Sequence, residues 1–358
     1  MRIDQLVPAF HRGDAIGDTA FHMKGFLRDQ GFVSEIYCLD RDSGLEDDSC
    51  LFEAFPEPGP GDVTLLHYAL PSLLTQAFAR LTSRKALLYH NITPEHFFTP
   101  YSAEMARISR LGRDELRSLS SVTDLGLADS EYNRMELEAA GFSLNAVFPL
   151  FVDFSKYRKP ASHFMSDLFR DDRINILFVG RIVPNKRIDE LIKVVFYYKK
   201  YISPLVRLIV VGKTSSLPRY YDSLIRLADE FYLKPEEICF TGHIPDEEMY
   251  ALYQSSDVFL SLSEHEGFGL PFIESMVFDL PILAYSCTAV PFTLGGSGIL
   301  LHSKPVERVA ELIHIVAGDE TLKKKIIAGQ RARIRDYQDQ DLEQYLIKNL
   351  SNLTGGND

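Results

Sequence analysis

This 358-residue chain predicts an α/β architecture built from two doubly wound, Rossmann-like halves. Three observations carry that expectation. Short apolar, β-prone runs alternate with amphipathic helical stretches almost throughout. The rhythm breaks once, near 150–173, and a fresh strand then opens at Ile174. After Pro305 only helical periodicity remains, through to a polar tail, TGGND. Strands alternating with helices imply parallel sheets covered on both faces. The expected domains are 1–152 and 153–335, with a C-terminal helix in 336–358 packing back on the first domain. Ligands of such sheets sit outside the carboxyl ends of strands, so a cleft between the halves is the expected site.

Taken in order, IDQLVPAF (3–10) is the first strand. HRGDAIGDTAFHMKGFL (11–27) then places Gly13 and Gly17 ahead of a helix, TAFHMKGFLRDQ (19–30). EIYCL (35–39), VTLLHY (63–68) and KALLYH (85–90) read as strands. LLYHNITPEHFF (87–98) puts His90 at a strand end. In ARISRLGRDELRS (106–118), Arg107, Arg110, Arg113 and Arg117 fall on one helical stripe, shortly after Phe97, Phe98 and Tyr101. Two readings fit: a contact with an anionic membrane surface or a lipid phosphate, or a solvated face partly neutralised by Asp114 and Glu115. LADSEYNRMEL (127–137) sets Asp129, Ser130 and Asn133 at a strand-to-helix turn, with Ser130 as helix cap. FVDFSKYRKPASHFMSDLFRDDR reads as an irregular linker. Beyond it, INILFVG (174–180), VRLIVVG (206–212), ICFTG (238–242), DVFLSLS (257–263) and PILAY (281–285) are strands, with a helix at DSLIRLADEFY (222–232).

Composition narrows the classes of function. Hydrophobic residues make up 46% and charged residues 25%, a globular composition. A net charge of −12 disfavours nucleic acid as a partner. Cys38, Cys50, Cys239 and Cys287 form no C-x-x-C pair, which fits a reducing compartment and argues against structural zinc. MRIDQLVPAF is too polar and short for a signal peptide, and no run of about 18 apolar residues occurs. The expected location is cytoplasmic, with peripheral contact at the inner membrane face if the arginine stripe serves that purpose. Sequons at Asn91 and Asn352 therefore carry little weight.

The chemistry concentrates in EHEGFGLPFIESMVFDLPILA (264–284). Glu266 and Glu274 flank Gly267, Phe268, Gly269, Leu270 and Pro271, between a buried strand and a helix expected to open at Pro271. Such a turn offers free N–H groups at a helix N-terminus, a ready anion site, and glycine lets a ligand approach the backbone. Glu274, expected on the first helical turn, suits hydroxyls rather than phosphate. Phosphate with hydroxyls on both sides describes a nucleotide sugar. In FVGRIVPNKRIDELI (178–192), Arg181 and Lys186 lie five residues apart after a strand, enough positive charge for a diphosphate.

These segments, followed by VRLIVVGK, FTGHIPDEEMYALYQSSDVFLSLS and AVPFTLGGSGILL, resemble the nucleotide-sugar domain of retaining glycosyltransferases of the GT-B fold, glycosyltransferase family 4 (group 1). The resemblance implies that Arg181 and Lys186 bind the donor diphosphate, that Glu274 holds the ribose, and that Glu266 lies beside the transferred sugar. It also places the amides of Gly267 to Leu270 at the sugar and phosphate. His90 is implied at the donor sugar and Gly17 at the diphosphate; Gly17 is equally well read as a plain glycine turn. Relatives are expected to carry Glu where Phe292 stands and Gly where Arg187 stands. No DxD-like carboxylate pair ends a strand in the second half, so Arg181 and Lys186 are expected to replace a metal; no cofactor is expected beyond the donor itself, GDP-mannose or a UDP-sugar. The implied activity is hexosyl transfer, with mannose first, to a glycan or lipid-linked oligosaccharide. A GT-B disaccharide synthase or phosphorylase and a non-catalytic sugar-nucleotide-binding subunit are the alternatives.

Overall fold

A computed structural model describes residues 1–354, with the side chains of 352 and 354 excluded; the sequon at Asn352 and the end of the polar tail therefore lie outside the description. The chain divides into two compact units. The first comprises Met1–His96, Glu104–Val152 and Gln340–Asp358; the second comprises Phe97–Ala103 and Asp153–Asp339.

In the first unit the chain runs β1 (Ile3–Phe10), α1 (Ala15–Asp29), β2 (Ile36–Arg41), β3 (Cys50–Leu51), β4 (Val63–Tyr68), α2 (Leu73–Arg80), β5 (Arg84–Tyr89), α3 (Ala103–Leu119), β6 (Leu125–Ala128), α4 (Glu131–Ala140) and β7 (Asn145–Val147). The strands form one parallel sheet in the order β3-β2-β1-β4-β5-β6-β7. The direction of winding reverses between β1 and β4, which makes that edge the switch point. Central strands are apolar on both faces because helices cover both; all six residues of β4 are buried.

The second unit runs α5 (His163–Leu168), β8 (Ile174–Val179), α6 (Ile188–Tyr201), β9 (Val206–Val211), α7 (Pro218–Glu230), β10 (Ile238–Gly242), α8 (Asp246–Gln254), β11 (Val258–Ser261), α9 (Leu270–Val277), β12 (Ile282–Tyr285), α10 (Val290–Leu294), β13 (Ile299–Leu301), α11 (Val306–Gly318) and α12 (Glu320–Gln338). Its parallel sheet has the order β10-β9-β8-β11-β12-β13, with the switch between β8 and β11. The final helix, α13 (Leu342–Thr354), belongs to the first unit: Leu346, Leu350 and Leu353 join Ile3, Leu27 and Val63 in its core. α12 ends at Gln338 and Asp341 caps α13 through the Gln344 amide, so the helical break falls at 339–341 rather than 336.

Two expectations need correction. The segment 150–173 is not a featureless linker. It holds α5 and a 3₁₀ turn, Lys156–Arg158, and buries Tyr157, Met165 and Phe169. Six helical residues are too few to show a period. The arginine stripe is also not a free basic patch. Arg113 pairs with Glu136 at 2.6 Å, Arg117 with Asp114 at 2.6 Å and Arg110 with Glu95 at 3.4 Å. Only Arg107 of the four is exposed without such a pair among the described residues. Phe98 is buried, so the neighbouring aromatics do not form an exposed cluster. Three of the four arginines are thus paired with carboxylates, Asp114 among them, whereas Glu115 accepts from the Tyr68 hydroxyl.

Candidate functional site

Loops leaving β8 and β11, the two strands at the second switch point, carry the charged residues singled out above. Arg181 follows β8, exposed and without an ion pair among the described residues. Ile182 and Val183 bury themselves, and Pro184–Lys186 form a 3₁₀ turn. The Lys186 ammonium meets Glu266 Oε2 at 2.5 Å, with the side chains only 16% and 9% exposed. Arg187 then adopts φ 51°, a left-handed conformation that glycine takes without strain; this explains why glycine is expected there. Its guanidinium reaches Asp189, Glu190 and Glu264. Lys304 bridges Glu190 and Glu264, each at 2.7 Å. Burial pulls the Glu264 carboxyl upward, but Lys304 and Arg187 outweigh it and hold the group below its ordinary range.

Four contacts lock the two loops to each other. Glu264 N–H donates to the Asn185 carbonyl at 2.8 Å. Asn185 Nδ2 donates to the His265 carbonyl at 2.9 Å. Arg187 pairs with Glu264 at 2.6 Å, and Lys186 with Glu266 as above. Asn185 Oδ1 is buried and lacks a hydrogen-bond partner among the described residues. Thr288 braces Glu266 from the other side: its hydroxyl accepts from the Glu266 amide and lies 2.8 Å from the Glu266 carbonyl. Thr293 likewise donates to the Phe268 carbonyl. The Cys287 thiol, beside this loop and donating to the Ser263 carbonyl, is pushed up to about 12 by burial and then by Glu266, so it is not a thiolate.

Gly269 caps α9 with φ 92°, and a Cβ there would lie 2.5 Å from the Phe272 ring. The helix opens at Leu270, so Pro271 is its second residue rather than its first. Phe268 N–H and Gly269 N–H have no backbone acceptor among the described residues. The phenyl ring of Phe268 is buried, so only its backbone is available to a ligand.

Glu274 is placed differently from expectation. It is the fifth residue of α9, beyond the first turn, and 5% exposed. Its Oε2 accepts from the Tyr253 hydroxyl at 2.8 Å and its Oε1 from the Tyr157 hydroxyl at 3.2 Å. Burial raises the Glu274 carboxyl above its ordinary value, against the opposing hydrogen bond from Tyr253. Burial likewise raises both phenols, followed in each case by the Glu274 charge. The hydroxyls that Glu274 meets in the structure are thus those of two tyrosines.

The two candidates in the first unit each have protein partners. Gly17 N–H donates to Asp14 Oδ1 at 2.7 Å, and a Cβ on Gly17 would lie 1.7 Å from the His11 carbonyl oxygen. The missing Cβ is thus required by backbone packing at this turn. His90 is not an open contact at a strand end: its side chain is 2% exposed, with Nδ1 on Asp129 and Nε2 on His67. The structure therefore brings together Lys186 and Glu266, with Arg181 on the same loop, but commits Glu274, His90 and Gly17 to protein partners. Asn185, Thr288, Tyr157 and Tyr253 escaped the sequence reading. Of these Asn185, flanked by Pro184 and Lys186, and Tyr253, in FTGHIPDEEMYALYQSSDVFLSLS, stood inside quoted motifs.

Residues 162–333, all within the second unit, match the family described as glycosyl transferases group 1, and the fold is GT-B. The serotype-specific mannosyltransferase WbdA of Escherichia coli is 26% identical over 158 residues, 44% of this chain and 19% of that protein. The alpha-monoglucosyldiacylglycerol synthase of Acholeplasma laidlawii is 32% identical over 157 residues, 43% of this chain and 37% of that protein. The match thus spans about a fifth of the first relative and under two fifths of the second. Among solved structures, Anabaena Alr3699/HepE in complex with UDP-glucose superposes with a TM-score of 0.74 at 18% identity, covering 98% of this chain and 100% of that one. No helix among the described residues is long and apolar enough to cross a membrane.

Proposed function

We propose that this protein is a retaining hexosyltransferase that takes a nucleoside-diphosphate sugar, GDP-mannose first and UDP-sugars next, and extends a glycan or lipid-linked oligosaccharide at the cytoplasmic side of a membrane. The observation that carries the reading is the Lys186–Glu266 pair beside an uncommitted Arg181, both on loops at the carboxyl ends of switch-point strands. The family match and the mannosyltransferase name of one relative support it. The name of the Acholeplasma synthase supports a lipid acceptor.

In this reading, bond breaking leaves charge on the departing diphosphate. Arg181, Lys186 and the Phe268 and Gly269 amides stabilise it without reorganising, and preorganised charge stabilisation of this kind usually contributes more to the rate than any other effect. Donor phosphate exchanges for Glu266 on Lys186, and Glu266 turns to the transferred sugar. Glu274 accepts from the ribose with the lone pairs that Tyr157 and Tyr253 leave. Retention follows a same-face path in which donor phosphate takes the acceptor's proton. Because two side-chain cations replace a metal, activity is expected to survive EDTA; loss restored by Mg²⁺ would overturn that part.

A melting-temperature panel with GDP-, UDP- and ADP-sugars tests the reading, since a ligand that binds only the folded state raises the melting point. A rise with one base and no rise for Arg181→Ala is expected. No shift with any of them removes the donor assignment. Glu266→Gln is expected to lower turnover while free nucleoside diphosphate binds at least as tightly, because Lys186 is released. Transfer to inorganic phosphate in place of a glycan would convert the reading to a phosphorylase.

A further inference from the structure

A line of four buried side chains runs across the first sheet, from Gln5 within β1 through His67 in β4 to His90 after β5 and Asp129 after β6. The line spans the switch point between β1 and β4. Its hydrogen-bond polarity can be worked out from one end. Gln5 Nε2 donates to the Ala20 carbonyl of α1 at 2.9 Å, which leaves Oε1 facing His67 Nε2 at 2.9 Å. An amide oxygen only accepts, so His67 Nε2 carries hydrogen. His67 is 1% exposed, and burial, followed by the His90 charge, pushes its pKa well below the ordinary value, which favours a neutral ring with Nδ1 as its lone pair. That nitrogen lies 2.9 Å from His90 Nε2, which then donates. His90 Nδ1 lies 3.0 Å from Asp129 Oδ2.

We propose that Gln5 and His67 fix His90 permanently as an Nε2–H donor, and that a single mobile proton is held between His90 Nδ1 and Asp129 Oδ2. Placed on nitrogen it gives an imidazolium and a carboxylate; placed on oxygen it gives a neutral imidazole and a carboxylic acid. Both satisfy the chain with a neutral His67; with Gln5 held on Ala20, the one further arrangement is a His67 imidazolium donating from Nδ1 to His90 Nε2, which the burial of His67 disfavours. Burial favours the neutral pair by raising Asp129, while His90 pulls the other way. Asp129 Oδ1 is buried with no hydrogen-bond partner among the described residues, so nothing else on that carboxyl competes for the charge. His67 on one side and Asp129 on the other are the titratable groups that face the His90 ring.

The shared proton stands whether or not the transfer reading does, and it has a chemical consequence. His90 has no lone pair at Nε2 and cannot act as a base through that nitrogen. Gln5, His67 and Asp129 are positioning residues that fix the tautomer and orientation of the His90 ring. This agrees with a reaction in which the acceptor's proton goes to donor phosphate.

The test is a long-range ¹H–¹⁵N correlation spectrum of the full chain labelled in histidine, from about pH 5 to about pH 8, where an ordinary histidine titrates. His67→Gln and His90→Asn variants assign the two rings. His67 is expected as the neutral Nε2–H tautomer across the range, and His90 with hydrogen on Nε2 throughout. In Asp129→Asn the amide donates to His90 Nδ1, so His90 is expected to be neutral and to keep its Nε2 hydrogen. A His67 ring protonated at Nδ1 or titrating near its ordinary value would overturn the polarity. A bare His90 Nε2, or a His90 that stays doubly protonated in Asp129→Asn, would overturn the shared proton. The wild-type spectrum decides the polarity even if that variant fails to fold.

Discussion

Lys186 and Arg181 look alike in sequence and differ in what holds them. Arg181 is exposed and unpaired among the described residues, so Arg181→Ala removes one charge from the site and nothing from the fold. Loss of one such stabilising contact lowers turnover by about 10²–10³, with an unchanged melting temperature. Lys186→Ala is expected to lose similar turnover but also to lower the melting temperature, because it strands the largely buried Glu266 carboxylate. Equal thermal effects in the two variants would show that the 2.5 Å pair contributes nothing to stability. Glu274 gives a prediction with a sign. Burial raises its carboxyl, so the folded chain holds this proton to higher pH than the unfolded chain does. Stability contributed by the protonated form is present at low pH and is lost as pH rises through the folded value. Glu274→Gln keeps the shape without the charge. Its melting temperature relative to wild type is expected to rise between about pH 4 and about pH 8. A difference that shrinks across that range would contradict the burial of this charge.

At the scale of elements, turns and helix ends carry the sensitivity. Gly17 opens α1 where its missing Cβ makes room for the His11 carbonyl, and Gly329 lies inside α12 with nothing within 4 Å of an added Cβ. Gly17→Ala must therefore displace the β1–α1 turn and is expected to destabilise the first unit by several kcal/mol, on the order of a backbone-strain or overpacking defect. Gly329→Ala should stabilise by about 0.5–1 kcal/mol through helix propensity alone. Urea midpoints of both variants check the pair; the same sign for both would mean that local space is not what separates them. Strand and turn patterns were read well from sequence because short apolar runs bounded by glycine are strong local signals. The helix at 163–168 was not, because six residues present less than two turns. The arginine stripe was read correctly as a helical face. Its compensation by Glu136 and Glu95 was invisible because those partners come from other parts of the chain.

For the whole molecule, α13 is the element whose loss reaches furthest. Leu346 and Leu350 are each 1% exposed in the core of the first unit, although they follow the second unit in sequence. Leu350→Ala is expected to cost about 2–5 kcal/mol and to exert it on the first unit. Hydrogen exchange should then rise in β1, β4 and β5 while the amides of β8, β9 and β11 keep their protection. Faster exchange confined to the second unit would mean that α13 does not stabilise the unit whose core it joins. The sequence by itself determined the alternation of strands and helices that gives two parallel sheets, the cationic loop and the glycine-containing helix start, because each is written in local periodicity or in a contiguous motif. Only the tertiary structure decided how the charges are spent. It pairs Lys186 with Glu266 and Arg187 with Glu264 across about 80 residues, turns Glu274 toward Tyr157 and Tyr253, and strings Gln5, His67, His90 and Asp129 into one line. Burial makes each of those polar groups find a partner, and which partner is within reach depends on strand order, which no local pattern encodes.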